Sequence, residues 1–276
     1  MTIELRSPAK VNLFLKVLNK RSDGYHNLAS LFQTVDLCDR LCFQLDDEDA
    51  LYCSDPLIPL DRRNLIWKAI DAFRLKTGTR LCFKIHLDKQ IPSEAGLGGG
   101  SSNAATALWA VNNLSGNLLS IEQLQCLSRD IGSDVPFFFS RGLAYCSGRG
   151  EDVENLDPVD LPSMVCYKPA FGLSTSDVYR AFMSDSCAST DFKRLLQDFI
   201  EGRPCFFNDL ESAAFILEPR LAAYKQVLQK RGFHDVILAG SGSSLVAFNA
   251  ASSDLELEDC RSFDLTAIQR QPNQWW

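Results

Sequence analysis

Between residues 91 and 105 the chain reads Ile-Pro-Ser-Glu-Ala-Gly-Leu-Gly-Gly-Gly-Ser-Ser-Asn-Ala-Ala, with Gly96, Gly98, Gly99 and Gly100 crowded into five positions ahead of a helical pattern. Glycines let a backbone approach a ligand closely, and the free N–H groups at a helix start carry partial positive charge. The segment therefore suits an anion, and phosphates best of all. A merely flexible loop would need neither the Ser101-Ser102 pair nor the small-residue helix after it. No Gly-Lys-Ser/Thr follows, which excludes a Walker A loop, and no glycine stands three positions beyond Gly98, which excludes the dinucleotide-binding fingerprint. Without a Walker lysine, positive charge near a transferred phosphate must come from elsewhere. Lys10, in Ser7-Pro8-Ala9-Lys10-Val11-Asn12-Leu13, is the candidate.

Other chemistries find little support. The three histidines, His26, His86 and His234, are widely separated and lack zinc-ligand spacing. The ten cysteines include no Cys-x-x-Cys pair, and Cys38, Cys42, Cys82, Cys146 and Cys166 sit inside apolar runs, so reduced and mostly buried thiols are expected.

The elements that must position these residues follow from periodicity. Short β-rich runs at 3–5, 11–18, 31–35 and 40–45 predict an antiparallel opening, with Asp46-Asp47-Glu48-Asp49 as a solvated hairpin turn. A helix begins at Asn64, carries Leu65, Ala69 and Phe73 on one face, and stops at Gly78; a strand at 81–87 follows. The glycine run opens a helix whose Ala104, Ala105, Leu108 and Val111 share a face until Ser115-Gly116. Another starts at Ser120, with Gln123 completing a capping box, and ends at Gly132. The polar, proline-bearing stretch 154–162 has no periodicity and marks a domain boundary. Beyond it the pattern predicts a strand at 164–167, helices near 176–183, 192–200 and 219–231, strands at 236–239 and 245–249, and a loosely held tail at 270–276.

With 276 residues, 46% hydrophobic and 23% charged, the composition is that of an ordinary globular protein. Charged or amide side chains interrupt every apolar run before the roughly 18–20 residues a membrane-spanning helix requires. A formal charge of −7 gives no reason to expect nucleic acid as a partner, while leaving room for a locally cationic pocket. The N-terminus lacks the charged head and apolar stretch of a secretory signal, so residence in the cytoplasm is expected.

Three stretches together carry a specific resemblance. The Pro-x-x-x-Gly-Leu-Gly-Gly-Gly-Ser-Ser run at 92–102 resembles the second signature of the GHMP kinases. Residues 7–13 resemble the first, and Leu238-Ala239-Gly240-Ser241-Gly242-Ser243-Ser244 the third. Adding Asp23-Gly24-Tyr25-His26 and Gly132-Ser133-Asp134-Val135-Pro136-Phe137-Phe138, the set is similar to a branch serving isoprenoid biosynthesis whose alcohol substrate carries a cytidine diphosphate.

The resemblance implies an α+β fold of two domains, an ATP-binding unit at 1–155 and a second unit at 156–276, with the active site in the cleft between them. It implies ATP phosphates on Pro92, Glu94, Ala95, Gly96, Leu97, Gly98, Gly99, Gly100, Ser101 and Ser102, braced by Gly240, Ser241 and Gly242. Phosphoryl transfer to a hydroxyl also needs a carboxylate near the acceptor oxygen. The resemblance gives Asp134 that role, with Lys10 as its partner. Tyr25 and Tyr179 would take the two faces of the cytosine and His26 its edge. Asn12 would lie near the acceptor, and Thr175 would cap a helix and reach the substrate. Mg²⁺ is implied by the reaction class, its ligands open between Ser101, Ser102, and ATP with water. The side chains near Leu57, Lys89 and Asn64 are the candidates for adenine.

Two positions depart from the commonest family pattern. Glu94 stands where glycine is usual, pointing outward or toward Mg²⁺, and Ala239 stands where serine is common. A GHMP kinase for homoserine or mevalonate, and a non-catalytic ATP-binding relative, are the alternatives. Oligomeric state, monomer or homodimer, is left open.

Overall fold

The computed structural model describes residues 1–182, 192–249 and 257–276. Its first sheet is built on one long hairpin, β1 (Thr2–Lys20) and β2 (His26–Asp46), paired antiparallel almost end to end. The four short strands predicted there merge into two. The apparent breaks at 6–10 and 36–39 are the two sides of one register shift at Pro8/Ala9, where Pro8 pairs with Cys38 and Ala9 with Val35, and further shifts follow at Asn12/Phe14 and Val17/Asn19. Each bulge bends the ribbon without ending it, and Pro8, which has no N–H to donate, sits at one of them.

β2 then serves two neighbours. Its far half pairs with β4 (Cys82–Asp88) and its near half with β5 (Leu143–Gly148), which pairs in turn with β6 (Asp152–Asn155). β3 (Ala50–Cys53) lies parallel to β4, on the side away from β2, so the acidic stretch after β2 is not a hairpin turn. Asp49 is half-buried there, held by two 2.7 Å bonds from Arg74 and one of 3.1 Å from the Phe83 N–H. Burial pushes its carboxyl up, but the Arg74 and Phe83 hydrogen bonds outweigh it and leave it below the usual carboxylate range.

Three helices cover one face of this sheet. α1 (Leu65–Thr77) is capped by the Asn64 side chain, which accepts from the Ile66 N–H, and ends at Gly78 with φ +73°, as its sequence predicts. α2 (Gly99–Leu114) starts within the glycine run itself. α3 (Ile121–Ser128) has the expected capping box but stops short of Gly132, because the Arg129 and Ile131 N–H groups turn back to Cys126 and Ser128 in tighter, three-residue steps. Phe43, Phe73, Phe83, Leu108 and Phe137 form the core between helices and sheet.

The C-terminal tail joins that core, contrary to the expected loose end. Trp275 is 8% exposed, and its indole N–H donates to Arg6 O and Thr106 Oγ1. Arg270 is buried and donates to the Phe139 and Ser140 carbonyls, and the Trp276 indole donates to Phe138 O. A polar run ending in two tryptophans shows no periodicity from which this could be read.

The second sheet has the order β11-β7-β10-β9, from β7 (Met164–Pro169), β9 (Val236–Leu238), β10 (Leu245–Phe248) and β11 (Cys260–Leu265). α4 (Thr175–Ala181) and α6 (Glu211–Leu217) pack on each other and on Leu15, Val17 and Leu28 of the long hairpin, α5 (Phe192–Ile200) adds Phe199 to the core between the sheets, and α7 (Arg220–Lys230) packs on β9 and β10. The two-residue β8 (Phe207–Asn208) crosses back to pair with β1. The strands β5, β6, β8 and β11 and the helix α6 have no counterpart among the predicted elements, and Met183, expected to end α4, lies outside the described residues. Val11, Leu31, Cys166, Val246 and Phe248 belong to one apolar core shared by the two sheets. Among the described residues no helix is long and apolar enough to cross a membrane. The described cysteines are free, but only Cys146 and Cys166 are buried, while Cys126 and Cys205 are exposed. The expectation of mostly buried thiols fails because lying in an apolar run does not determine which face of a strand a residue takes.

Candidate active site

The glycine run is pressed against the 239–244 turn, backbone to backbone. A Cβ on Gly96 (φ +80°) would lie 1.8 Å from Ala239 O, and one on Gly242 would lie 2.0 Å from the Gly96 nitrogen. The Ser243 N–H donates to Glu94 O at 3.1 Å, and the Lys10 N–H donates to Leu97 O at 2.9 Å. Gly98 (φ +72°) caps α2, so its left-handed turn aims the helix start at the loop. Glycine at 98 and 240 also leaves room for Lys10, whose Cγ and Nζ would stand 3.0 and 3.2 Å from the respective Cβ atoms.

Lys10 is buried at the centre of the site. Its Nζ donates to Asn12 Oδ1 (2.8 Å), stands 3.5 Å from Asp134 Oδ2, and lies 4.5 Å from the ring centre of Phe32. Asn12 donates to Ser30 Oγ, which donates to Phe14 O, so a chain of bonds across the hairpin fixes the amide that holds the lysine. Asp134 sits after α3 on the turn leading into the tight helical turn Pro136–Phe139.

Two cavities meet at this pair. One, of about 390 Å³, is lined by residues 92–101 with Ile58, Arg63, Asn64 and Lys89. The other, a cleft of about 1350 Å³, is lined by Asn12, Tyr25, His26 and Tyr179. Lys10, Glu94, Ser101, Asp134, Thr175 and Ser241 line both. Lys89 and Asn64 thus face the loop cavity, whereas Leu57 is 85% exposed and is not among its lining residues.

Tyr25 and His26 ride on the tip of the β1–β2 hairpin, where Gly24 takes φ +88° and the Tyr25 N–H donates to Asp23 Oδ1. Tyr25 is 54% exposed. Tyr179 of α4 stacks on His26, ring centres 5.6 Å apart, and Phe182 meets the same imidazole edge-on. Burial and the nearby Lys20 charge hold His26 below its ordinary value of 6.5, so the ring is neutral at pH 7. Burial, with Asp134 nearby, pushes the Tyr179 phenol up. Thr175 does not cap α4 as expected: Ser174 occupies the cap position, and the Thr175 hydroxyl accepts from Ser241 Oγ at 2.9 Å, tying α4 to the third glycine turn.

Glu94 adopts φ +53°, a conformation glycine takes more easily. Its side chain turns toward Gly172, where a Cβ would lie 1.9 Å from Glu94 Oε2. The Ser102 hydroxyl is engaged by Ser7 Oγ at 2.8 Å. Sequence reasoning missed Asp39, a fully buried carboxylate that accepts from Lys89 Nζ (2.6 Å), Asn103 Nδ2 and the Gln90 and Ile91 N–H groups, joining the approach to the loop to the first turn of α2. An acidic residue inside the strand-like run Leu37-Cys38-Asp39-Arg40-Leu41 was the signal available. Arg63 and Arg149, which line the two cavities, were also missed.

Residues 64–142 match the GHMP kinases N terminal domain. The fold is also that of a homoserine kinase from Cytophaga hutchinsonii, with a TM-score of 0.73 at 17% identity over 98% of this chain and 96% of that one. Fold and glycine cradle together define a GHMP kinase. A 4-diphosphocytidyl-2-C-methyl-D-erythritol kinase from Protochlamydia amoebophila is 46% identical over 100% of this chain and 93% of its own length. The crystal structure of a 4-(cytidine 5'-diphospho)-2C-methyl-D-erythritol kinase superposes with a TM-score of 0.75 at 34% identity, covering 91% of each chain. The chain belongs to the family of 4-diphosphocytidyl-2-C-methyl-D-erythritol kinases.

Proposed function

We propose that this protein transfers the γ-phosphoryl group of ATP to the 2-hydroxyl of 4-diphosphocytidyl-2-C-methyl-D-erythritol, a step of the non-mevalonate route to isoprenoids. The observation that carries the reading is the meeting of the glycine-loop cavity and the aromatic-lined cleft at Lys10 and Asp134, 3.5 Å apart. ATP lays its phosphates along residues 96–102, on the N–H groups at the start of α2. The acceptor enters the cleft with its base at Tyr25, His26 and Tyr179. Asp134 then orients the hydroxyl and takes its proton, while the Lys10 ammonium steadies charge on the transferred group. Positioning by the braced loops and electrostatic stabilisation supply the catalysis.

The donors at this junction fit Mg²⁺. Ser101 offers a hydroxyl on the lining of both cavities, and an ion that keeps waters and phosphate oxygens needs few protein ligands. Among the described residues no group of three or more His, Cys, Asp or Glu is placed to cage a metal. Ser101 would hold the ion, with ATP oxygens and water filling the rest of its shell and Asp134 left to the acceptor hydroxyl; the ion when bound offsets phosphate charge.

The proposal includes residence in the cytoplasm and a division of the chain at 155/156. The two sheets support that division, β8 excepted, and their shared core couples the units. The test is ADP release from ATP and Mg²⁺ with the cytidylyl alcohol, run beside homoserine, mevalonate and galactose. Turnover with the cytidylyl substrate alone is expected; turnover with another alcohol in its place overturns the reading.

A further inference from the structure

An acceptor of this kind carries two phosphates between its cytidine and its alcohol, and the residues described so far leave them without a partner. Lys10 is committed to Asn12 and Asp134. The turn after β5 supplies another cation. Arg149 lines the cleft, with its guanidinium held on two sides: Nε donates to Glu151 Oε1 at 3.1 Å, and Cζ lies 5.1 Å from the ring centre of Tyr25. Glu151 is fixed in turn by the Arg149 backbone N–H. Neither Nη of Arg149 has a hydrogen-bond partner among the described residues, and Asp23, which also feels the Arg149 charge, is paired with Arg21 at 3.0 Å.

The next residue locates this cation along the cleft. Gly150 takes φ +117°, and a Cβ there would come within 3.5 Å of Asp134 Oδ1. The turn thus reaches from the proposed reacting carboxylate to Tyr25. A diphosphate must occupy that interval when the hydroxyl faces Asp134 and the base lies at Tyr25 and His26. A guanidinium anchored through Nε keeps both Nη groups for the paired oxygens of a phosphate, and stacking on a tyrosine fixes its plane.

We propose that Arg149, backed by Glu151 and Tyr25, binds the diphosphate of the acceptor and so helps select a nucleotidyl alcohol over a bare one. The inference rests on the reading of the cleft given under Proposed function.

Calorimetric binding of CDP and of cytidine to the wild type, Arg149→Gln and Arg149→Lys tests it, together with KM for the acceptor and for ATP. Arg149→Gln is expected to weaken CDP roughly 10- to 100-fold while cytidine changes by less than about threefold, the worth of charge-assisted hydrogen bonds. The acceptor KM should rise and the ATP KM stay put. Arg149→Lys should recover part of the loss, restoring charge without the fork. Equal losses for CDP and cytidine would reduce Arg149 to a prop for Tyr25, and undiminished CDP binding would remove it from recognition. A wild type that binds CDP and turns over the cytidylyl alcohol leaves the underlying reading standing through either failure, whereas one that does neither overturns both.

Discussion

Replacing Gly96 with alanine isolates the contact on which the phosphate cradle depends. The added Cβ would stand 1.8 Å from Ala239 O, 2.7 Å from Ala239 C and 2.9 Å from the Gly242 nitrogen. The first distance falls about 1.5 Å short of the ~3.3 Å at which carbon ordinarily meets a carbonyl oxygen. All three neighbours are backbone atoms, so no side-chain rotation relieves the overlap, and the two loops must separate. The left-handed conformation at φ +80° adds about 1–2 kcal/mol for any residue with a Cβ. A total loss of roughly 3–5 kcal/mol is expected, at the upper end for a single substitution. Because ~1 Å of misplacement at a reacting centre costs about 10²-fold, kcat/KM for ATP should fall by at least that factor. Gly100→Ala is the matched control for stability alone, since ATP's phosphates are proposed to lie on the same residues: it sits in the first turn of α2, its nearest neighbour is Leu65 Cδ1 at 3.8 Å, and the helix should gain about 0.5–1 kcal/mol. Urea denaturation with steady-state kinetics reads both. Wild-type stability and turnover in Gly96→Ala would refute the claim that the third glycine turn holds the loop by direct backbone contact.

Asp134→Asn should lower kcat by on the order of 10²- to 10⁴-fold with ATP affinity nearly intact; full turnover would take Asp134 out of the chemistry. Tyr25→Ala should raise the acceptor KM far more than the ATP KM, and equal rises would assign Tyr25 to the fold. The Asp49 carboxyl is held below its unfolded value, so the stability it contributes is present above about pH 4 and is lost as pH falls through the lower folded value. Acid titration of stability in Asp49→Asn should accordingly lose that part of the slope, and an unchanged acid limb would contradict the Arg74 pairing. Trp275→Ala should destabilise by roughly 3–5 kcal/mol through an unfilled core site, whereas a loose tail would give almost no change in a thermal melt.

Local signals carried much of the fold. Asn64 and Gly78 bracket α1, Ser120 and Gln123 open α3, and the glycine run opens α2, because caps and left-handed turns are decided within a few residues. Elements whose identity depends on distant partners were not legible. Two long strands read as four short ones, since a bulge and a chain break leave the same local trace. The β8 pairing and the docking of Trp275 are settled by surfaces far away in sequence.

The same division runs through the site. The glycine run, Lys10, Asp134 and the Tyr25-His26 pair stand out by residue type and spacing, because phosphate binding and proton transfer restrict which side chains serve. Sequence alone therefore marked out the glycine loop proposed to bind phosphate and the polar residues proposed to work around it. Only the tertiary structure put Lys10 within 3.5 Å of Asp134, stacked Tyr179 on His26, tied Thr175 to Ser241, and buried Asp39 under the approach to the loop. It also set Arg149 between Tyr25 and the Asp134 turn. Each of these pairs joins segments far apart in the chain. Their distances are fixed by how the sheets and helices pack, a long-range balance of burial and hydrogen bonding that no short window of residues contains.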